Sequence, residues 1–231
     1  MIFDFTDKTI LVTGGSRGIG AAIVNLFEQH GGKVISIGSK DYDLGSNIGL
    51  TALMAYVGAL DKIDVLINNA GIIHTETIDN ISFEQYDSLM NINLKAPFFL
   101  TKAVSKLMQK NNYGRIVNIA SIAANRVRSG RAAYSASKSA LITMSKVVSI
   151  ELAPYNVLVN TVSPGFTFTE MFEKNVPEDL KQKLLAKIPL GKFASVDDIA
   201  STVLYLSSDN NTHLTGQDIV VDGGFLSAIS G

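Results

Sequence analysis

The stretch "KTILVTGGSRGIG" at residues 8–20 joins an apolar run to a turn with four glycines and then to a run with helical periodicity. The first run is apolar on both faces, as expected of a strand buried in a parallel sheet. Glycines allow a tight turn and the close approach of a pyrophosphate, and the helix that follows offers free N–H groups to that anion. The stretch therefore predicts the strand, turn and helix of a dinucleotide-binding unit, with a ligand-free tight turn as the alternative.

The rest of the chain repeats this alternation of short β-branched runs and longer amphipathic runs. Strands are predicted for "KTILVTG" (8–14), "KVISIG" (33–38), "DVLINNAG" (64–71), "GRIVNIAS" (114–121), "NVLVNTVSPG" (156–165) and "DIVVDGG" (218–224). Helical periodicity marks residues 18–30, 82–110 and 134–153. This alternation predicts an α/β fold with a doubly wound, mostly parallel sheet in one domain over residues 1–231. In such sheets ligands bind beyond the carboxyl ends of the strands.

The bulk composition argues against several classes of protein. The chain has 231 residues, of which 46% are hydrophobic and 18% charged, so it can bury a core. A net charge of -1 gives no basic excess for nucleic acid, and no apolar run approaches the roughly 20 residues that span a membrane. There are no cysteines, and His30, His74 and His213 lack metal-ligand spacing, so no metal site is predicted. The start of the chain has no signal-peptide pattern, which favours a cytoplasmic location.

The connection after the second predicted strand is unusually short. A parallel crossover normally needs a dozen or more residues, usually including a helix. Residues 39–41, between "KVISIG" and the run that follows, span at most about 10 Å. We therefore expect no full helix between residues 38 and 46, and we expect "DYDL" (41–44) to be a loop or a vestigial edge strand.

The stretch "YSASK" at residues 134–138 places a phenol and an ammonium four residues apart. On a helix this spacing puts Tyr134 and Lys138 on one face, one turn apart. Ser121 ends a predicted strand upstream of the tyrosine, and Asn93 lies inside the helical run 82–110. Each of these residues alone has an ordinary structural interpretation, such as a surface pair, a turn residue or a helix polar residue.

Four short motifs together resemble those of the short-chain dehydrogenase/reductase family. They are T-G-x-x-x-G-I-G at 13–20, "NNAG" at 68–71, Y-x-x-x-K at 134–138 and "SPG" at 163–165. The resemblance runs from residue 8 to residue 224 and is to the short, single-domain branch, which includes 3-oxoacyl-carrier-protein reductases. It implies one Rossmann domain that contains both the dinucleotide site and the active site.

The resemblance implies a catalytic group of Asn93, Ser121, Tyr134 and Lys138. Tyr134 is expected to exchange a proton with the substrate oxygen and Ser121 to orient the carbonyl, so both are expected to contact the substrate. A phenol has a reference pKa near 10, which the Lys138 ammonium and an oxidised nicotinamide are expected to lower. Lys138 is also expected to bond the nicotinamide ribose, and Asn93 to hold a water that links Lys138 to solvent.

The resemblance also implies contacts to a nicotinamide cofactor. The glycine turn is expected to face the pyrophosphate, "NNAG" the adenosine side, and "PGFTFTE" (164–170) the nicotinamide carboxamide. Asp43 and Leu44 match the family's adenine-contacting pair in type. The cofactor set comprises Gly14, Gly15, Ser16, Arg17, Gly18, Ile19, Gly20, Ser39, Lys40, Asp43, Leu44, Asn69, Ala70, Gly71, Tyr134, Lys138, Pro164, Gly165, Thr167 and Thr169.

The end of the second strand indicates a preference for NADP(H) over NAD(H). NAD-selective Rossmann proteins place an acidic residue there, which would repel a 2′-phosphate. Here that position is Gly38, and it is followed by Ser39 and Lys40, while Arg17 in the glycine turn can reach the same pocket. The aspartates at 41 and 43 leave NAD(H) possible, since either one could bind the ribose.

Residues 166–194 resemble the family's substrate lid. Four apolar side chains there either wall the substrate or pack the lid down; they are Phe166, Phe168, Met171 and Phe172. Three arginines between Ser121 and Tyr134 either attract an anionic substrate or are solvated or subunit-contact charges, the interpretation we favour here; they are Arg126, Arg128 and Arg131.

Three functions fit these residues. The main prediction is an NAD(P)-dependent oxidoreductase acting on a small carbonyl or secondary alcohol. A 3-oxoacyl-carrier-protein reductase is the alternative on substrate, and a non-catalytic dinucleotide-binding regulator fits less well because the four catalytic positions are intact. The resemblance implies a homotetramer, or a dimer, assembled through residues 82–110, residues 134–153 and the end of the chain.

Overall fold

The computed structural model describes residues 3–228 and contains one six-stranded parallel sheet within them. The six predicted strands are all present, each slightly shorter than its apolar run. They are β1 (Thr9–Thr13), β2 (Lys33–Ile37), β3 (Val65–Asn68), β4 (Gly114–Ile119), β5 (Val157–Pro164) and β6 (Asp218–Val221). Their order is β2-β1-β3-β4-β5-β6, and every neighbouring pair is parallel.

Eight α-helices connect and cover these strands within the described part of the chain. They are α1 (Gly18–Gln29), α2 (Asn47–Gly58), α3 (Phe83–Met90), α4 (Ala96–Asn111), α5 (Ala132–Leu152), α6 (Glu170–Asn175), α7 (Glu178–Leu185) and α8 (Val196–Ser207). In the same residues, no helix is both long enough and apolar enough to cross a membrane.

The two faces of the sheet bury two separate apolar cores. Along β1, Ile10 and Val12 face one core with residues of α1 and α8, while Leu11 faces the other with residues of α2 and α4. All three side chains are buried. This alternation explains why the strands have no polar face in the sequence, because each strand is covered by helices on both sides.

The strand order reverses at β1, whose neighbours are β2 on one side and β3 on the other. The connections that leave β1 and β3 run to opposite faces of the sheet and open a crevice at this point. The glycine turn at 14–18 follows β1, and the "NNAG" loop follows β3. The two motifs singled out in the sequence thus meet at the position where a doubly wound sheet binds its ligand.

The connection after β2 is abridged, as its length predicted. Residues 38–46 form turns and no full helix, and "DYDL" is a loop. The Asp41 carboxylate accepts a hydrogen bond from the Gly38 N–H at 2.7 Å. Ser46 then caps α2 by accepting from the Gly49 N–H at 3.0 Å. A single helix, α2, therefore leads directly from β2 to β3.

The long helical run at 82–110 is interrupted. A capping box formed by Ser82 and Gln85 starts α3, and one turn of π-helix over Asn91–Lys95 separates α3 from α4. Pro97 follows within the first turn of α4. Proline has no N–H, so it cannot donate to the Asn93 carbonyl four residues earlier, and this carbonyl lacks its α-helical partner.

Candidate active site

The glycine turn is packed too closely for larger residues. A Cβ on Gly14 would lie 2.9 Å from the Ala70 Cα, and a Cβ on Gly20 would overlap the Gly14 carbonyl. Gly14 and Gly18 have φ values of 68° and 54°, which favour glycine. The turn therefore keeps bare backbone and the first N–H groups of α1 at the crevice, which fits a pyrophosphate.

The "NNAG" loop is tied directly to this turn. The Asn69 side chain donates to the Thr13 and Gly14 carbonyls at 3.0 and 2.9 Å. The Thr13 hydroxyl oxygen accepts from the N–H groups of Asn69 and Ala70, each at 3.1 Å. The Asn69 amide thus holds the ends of β1 and β3 together. Thr13 was not among the predicted site residues, although its position directly before the first glycine is visible in the motif.

Tyr134 and Lys138 lie one turn apart on α5, with Lys138 Nζ 5.9 Å from the centre of the Tyr134 ring. Lys138 is only 4% exposed, and its Nζ donates to the Ile119 carbonyl at 2.7 Å. Ser121 follows β4, and its hydroxyl lies within hydrogen-bonding reach of the Tyr134 phenol. The end of β4 and the first turns of α5 therefore bring the phenol, the hydroxyl and the ammonium together.

Asn93 reaches this group from the π-turn. It is fully buried; its amide oxygen accepts from the Ile72 N–H at 2.9 Å, and its amide nitrogen donates to the Ile72 carbonyl at 2.9 Å and to the Ser137 hydroxyl at 3.2 Å. A Cβ on Gly71 would lie 3.4 Å from the Asn93 amide oxygen and 3.5 Å from Lys138 Nζ. The Asn93 side chain therefore fixes the loop after "NNAG".

The pKa of Tyr134 has other causes than the sequence suggested. Burial raises the pKa of the phenol, while the Ser121 hydroxyl and the Arg131 guanidinium lower it in part. The lowering charge expected from Lys138 comes here from Arg131. Burial also lowers the pKa of Lys138 to about 8, because the ammonium is taken out of water, and the partner that the described residues provide is the neutral Ile119 carbonyl.

The end of β2 carries charges of both signs. Ser39 and Lys40 are exposed there, Arg17 is exposed in the glycine turn, and the Asp41 carboxylate accepts from the Gly38 N–H. Asp43 accepts from the Gly45 N–H at 2.9 Å.

Leu44, from the predicted adenine pair, is buried in the core beside α2, so its side chain packs inward. Its main chain remains the part that can face an adenine.

The segment after β5 closes against the glycine turn. Pro164 ends β5, and a Cβ on Gly165 would lie 2.7 Å from the Asp222 Cα. Buried Thr167 donates to the Gly165 carbonyl at 3.2 Å, and Thr169 caps α6 by accepting from the Phe172 N–H at 3.1 Å. A Cβ on Gly18 would lie 3.7 Å from the Thr169 methyl group. Gly18 and Thr169 are therefore neighbours, so the predicted pyrophosphate residues and the predicted carboxamide residues face each other across one crevice.

The aromatic side chains of residues 166–194 largely pack on one another. Phe166 stacks edge-on against Phe225 at 5.1 Å, and Phe172 against Phe193 at 5.0 Å. Phe168 stays 47% exposed, whereas the Met171 side chain lies outside the described part of the structure. Of the four predicted wall residues, Phe166 and Phe172 therefore have packing partners.

The three arginines before Tyr134 differ in their surroundings. Arg126 donates to the Phe225 carbonyl at 3.1 Å, and its guanidinium lies 4.5 Å from the centre of the Phe225 ring. Arg126 therefore helps to hold the segment around Phe225 in place. Arg128 is exposed. Arg131 is partly buried, and one of its terminal nitrogens is shielded from water, which corrects our interpretation of it as a solvated loop charge.

The chain is similar to known proteins over nearly its whole length. A family model described as enoyl-(acyl carrier protein) reductase matches residues 41–226. The chain is 38% identical to 3-oxoacyl-[acyl-carrier-protein] reductase FabG of Rickettsia conorii, over 97% of this chain and 99% of the relative. It is 34% identical to the reductase of the same name from Escherichia coli, over 96% and 98%.

Solved structures give the same fold. A protein provisionally assigned as an NAD(P)-dependent gluconate 5-dehydrogenase of Beutenbergia cavernae, with NADP at low occupancy, superposes with a TM-score of 0.94 at 28% identity, covering 99% of this chain and 100% of that one. A 4-hydroxyisoleucine dehydrogenase complexed with NADH superposes with a TM-score of 0.91 at 29% identity, covering 96% and 100%.

Proposed function

The chain belongs to the short-chain dehydrogenase/reductase family and is a nicotinamide-dependent oxidoreductase, and from this premise we propose that it is an NADP(H)-dependent carbonyl reductase with Tyr134 as its general acid and base. The observation that carries the proposal is the convergence of Tyr134, Ser121 and Lys138 beside the glycine turn. The bound nicotinamide supplies the hydride for the carbonyl carbon, or accepts it from the alcohol.

Ser121, which follows β4, and Tyr134 on α5 carry out the proton transfer. As the carbonyl carbon is reduced, the oxygen becomes an alkoxide and takes the proton of the Tyr134 phenol. The Ser121 hydroxyl donates a hydrogen bond to the same oxygen and stabilises its developing charge. Oxidation of an alcohol uses the reverse path, with Tyr134 as phenolate accepting the proton.

Lys138 and Asn93 support this proton transfer. The Lys138 ammonium faces the ribose of the cofactor, whereas the Ser121 hydroxyl and the Arg131 guanidinium favour the phenolate that forms on Tyr134. The main-chain carbonyl of Asn93 holds a water through which the proton reaches solvent, while the Asn93 side chain fixes the loop at Ile72. Asn93 is in this scheme a positioning residue.

The remaining contacts of the predicted cofactor set divide along the crevice. The glycine turn binds the pyrophosphate. The loop at 69–71 and the main chain at 43–44 contact the adenosine, and the segment at 164–169 contacts the nicotinamide carboxamide. Residues 166–194, which include α6 and α7, act as the lid of the single domain.

The preference for the phosphorylated cofactor rests on charge. Lys40 is an exposed cation just after β2, Arg17 is an exposed cation in the glycine turn, and Gly38 stands where a carboxylate would repel a 2′-phosphate. Asp41 and Asp43 are the opposing charges, and their carboxylates accept hydrogen bonds from the N–H groups of Gly38 and Gly45. Because both carboxylates are already bonded to main-chain donors, the two cations favour the phosphate, and arginine recognises phosphate oxygens in a bidentate manner.

Cofactor kinetics test this preference. We expect kcat/KM for NADPH to exceed that for NADH, and the double variant Arg17→Ala/Lys40→Ala to lose roughly tenfold or more with NADPH alone, since tenfold corresponds to about 1.4 kcal/mol. Asp41→Asn should raise the ratio further. The matched control is Lys33→Ala, which removes an exposed cation at the start of β2. A wild-type ratio that favours NADH would contradict the proposal.

A second candidate function is reduction of a 3-oxoacyl group on a carrier protein. It is favoured by the full-length similarity to reductases with that name. Such a substrate has a neutral thioester one methylene away from the reacting carbonyl. Kinetics with 3-oxoacyl thioesters therefore separate this candidate from other carbonyl reductases.

We also propose that the chain assembles as a cytoplasmic homotetramer, with a dimer as the smaller unit. A groove of about 1020 Å³ runs between α4 and α5. Phe98 and Val147 line it while 49% and 51% exposed, and Ile150 is 76% exposed on α5. The edge strand β6 exposes Val220 as a second contact. Burial of these side chains against a second copy removes apolar surface from water.

Light scattering after size-exclusion chromatography tests the assembly. Val147→Glu places a charge in the groove, so we expect the particle to become smaller than the wild type, because only the β6 contact remains. Lys110→Glu, an exposed change at the end of α4, serves as the control and should leave the size unchanged. A monomeric wild type would contradict the assembly.

A further inference from the structure

A second cavity lies beside the first turn of α5. Its volume is about 400 Å³, and it is lined by residues 127–132, Ser135, Thr77 and Ile78. Two buried polar atoms on its lining residues have no hydrogen-bond partner, namely the Arg131 Nη1 and the Ser135 hydroxyl oxygen. Ser135 is only 7% exposed. Buried donors without partners are rare and costly in proteins, so the pair calls for a ligand that accepts hydrogen bonds.

The charge in this cavity is entirely positive among the side chains that the structure describes. Arg128 and Arg131 both line it, and neither forms a salt bridge with a described carboxylate. Burial lowers the pKa of Arg131, and repulsion from Arg128 lowers it further. Two neighbouring guanidinium groups of which one is shielded from water are stabilised by an anion.

The cavity lies at the start of α5, next in sequence to the catalytic residues of that helix. Arg131, Ser135 and Lys138 follow one another at helical spacing with Tyr134 between them, so all four side chains project from one side of the helix. The guanidinium of Arg131 is close enough to the phenol to influence its pKa. An anionic group bound by Arg131 and Ser135 could therefore belong to the same small molecule as a carbonyl oxygen that is hydrogen-bonded to the Tyr134 phenol.

We propose that Arg131 and Ser135, assisted by Arg128, form the subsite for a carboxylate of the substrate, and that the substrate is an oxo acid with its corresponding hydroxy acid as product. This inference rests on the proposed carbonyl reductase and names its substrate class. The Arg131 Nη1 and the Ser135 hydroxyl offer two donors, one for each carboxylate oxygen. The negative charge offsets the two guanidinium groups, and the contact fixes the carbonyl against Tyr134 and Ser121.

The subsite implies discrimination against neutral analogues. An ester or thioester of the same chain length keeps one carbonyl oxygen as an acceptor but has no negative charge, so it would leave the two guanidinium groups without a counter-charge. Sites built to bind a polar group reject analogues that lack it more strongly than apolar pockets reject a missing methylene. The cavity thus favours free acids over thioesters at the position next to the reacting carbonyl.

The test compares matched pairs of substrates. NADPH oxidation is followed with 2-, 3- and 4-oxo carboxylic acids, with their methyl esters, and with 3-oxoacyl N-acetylcysteamine thioesters. We expect at least one acid to exceed its ester about tenfold in kcat/KM. In Arg131→Gln this ratio should fall about tenfold, mainly through KM of the acid, and Arg131→Lys should restore part of it. Ser135→Ala should lower the ratio by a smaller factor.

Lys146→Gln is the matched control, because it removes an exposed charge from the same helix and should leave the acid-to-ester ratio unchanged. The inference is overturned if esters or thioesters equal the acids at every chain length, or if Arg131→Gln keeps the preference. The acid-to-ester ratios are also measured with NADH, so they can be compared even if the protein does not prefer NADP(H). If the protein reduces esters as well as acids, the carboxylate subsite is refuted and the proposed carbonyl reductase is not.

Discussion

Tyr134→Phe is expected to lower kcat by about two to four orders of magnitude, the range that general acid–base catalysis supplies. The substitution removes one hydroxyl, so the carbonyl oxygen loses its proton donor while the Ser121 hydroxyl remains. The ring stays on α5 with its packing, and the Lys138 Nζ keeps its bond to the Ile119 carbonyl. Steady-state kinetics should therefore show the loss in kcat, while cofactor binding and the thermal midpoint stay close to those of the wild type.

Tyr86→Phe is the control for this experiment, because Tyr86 is exposed on α3 and lies outside the proposed site. It should retain wild-type turnover. The pH profile gives a second readout: since burial raises the pKa of the phenol, carbonyl reduction should persist through neutral pH and decline only as the pH passes that pKa. A Tyr134→Phe variant with more than a tenth of wild-type kcat would refute Tyr134 as the acid.

Much of the fold could be predicted because its causes are local. The strands have apolar side chains on both faces, and this pattern has few other interpretations in a chain of alternating helices and strands. The abridged connection was predicted from chain length, since three residues cannot return along a strand. The break at Asn91–Lys95 was less visible, although Pro97 signals that one hydrogen bond of the helix must be missing.

The electrostatics of the site could not be predicted in the same way. The Y-x-x-x-K spacing suggested that Lys138 sets the pKa of Tyr134, yet that pKa depends on burial and on two residues from a separate loop, Ser121 and Arg131. Burial is a property of the assembled domain, and no local pattern reports it. The sequence contained one usable signal, because Arg131 precedes Tyr134 by one helical turn.

The buried ammonium of Lys138 leads to the second prediction: Lys138→Met should abolish most turnover and yet stabilise the fold near neutral pH. The pKa of Lys138 is about 8 in the folded protein and 10.5 in the reference state, so burial of the charge costs about 3 kcal/mol at neutral pH. Loss of the bond to the Ile119 carbonyl offsets about 1 kcal/mol of that gain. We expect the thermal midpoint to rise by roughly 4–8 °C at pH 7.

The sign of this effect with pH follows from proton binding. Below pH 8 the lysine is charged in both states, and the full cost of burial opposes folding. Between pH 8 and pH 10.5 the folded protein releases the proton while the unfolded chain keeps it, so the stability of the wild type rises with pH. The advantage of Lys138→Met should therefore shrink between thermal scans at pH 7 and pH 10. Lys146→Met, an exposed change on the same helix, should show no such dependence. If Lys138→Met were less stable than the wild type at pH 7, the ammonium would have a stabilising partner other than the Ile119 carbonyl.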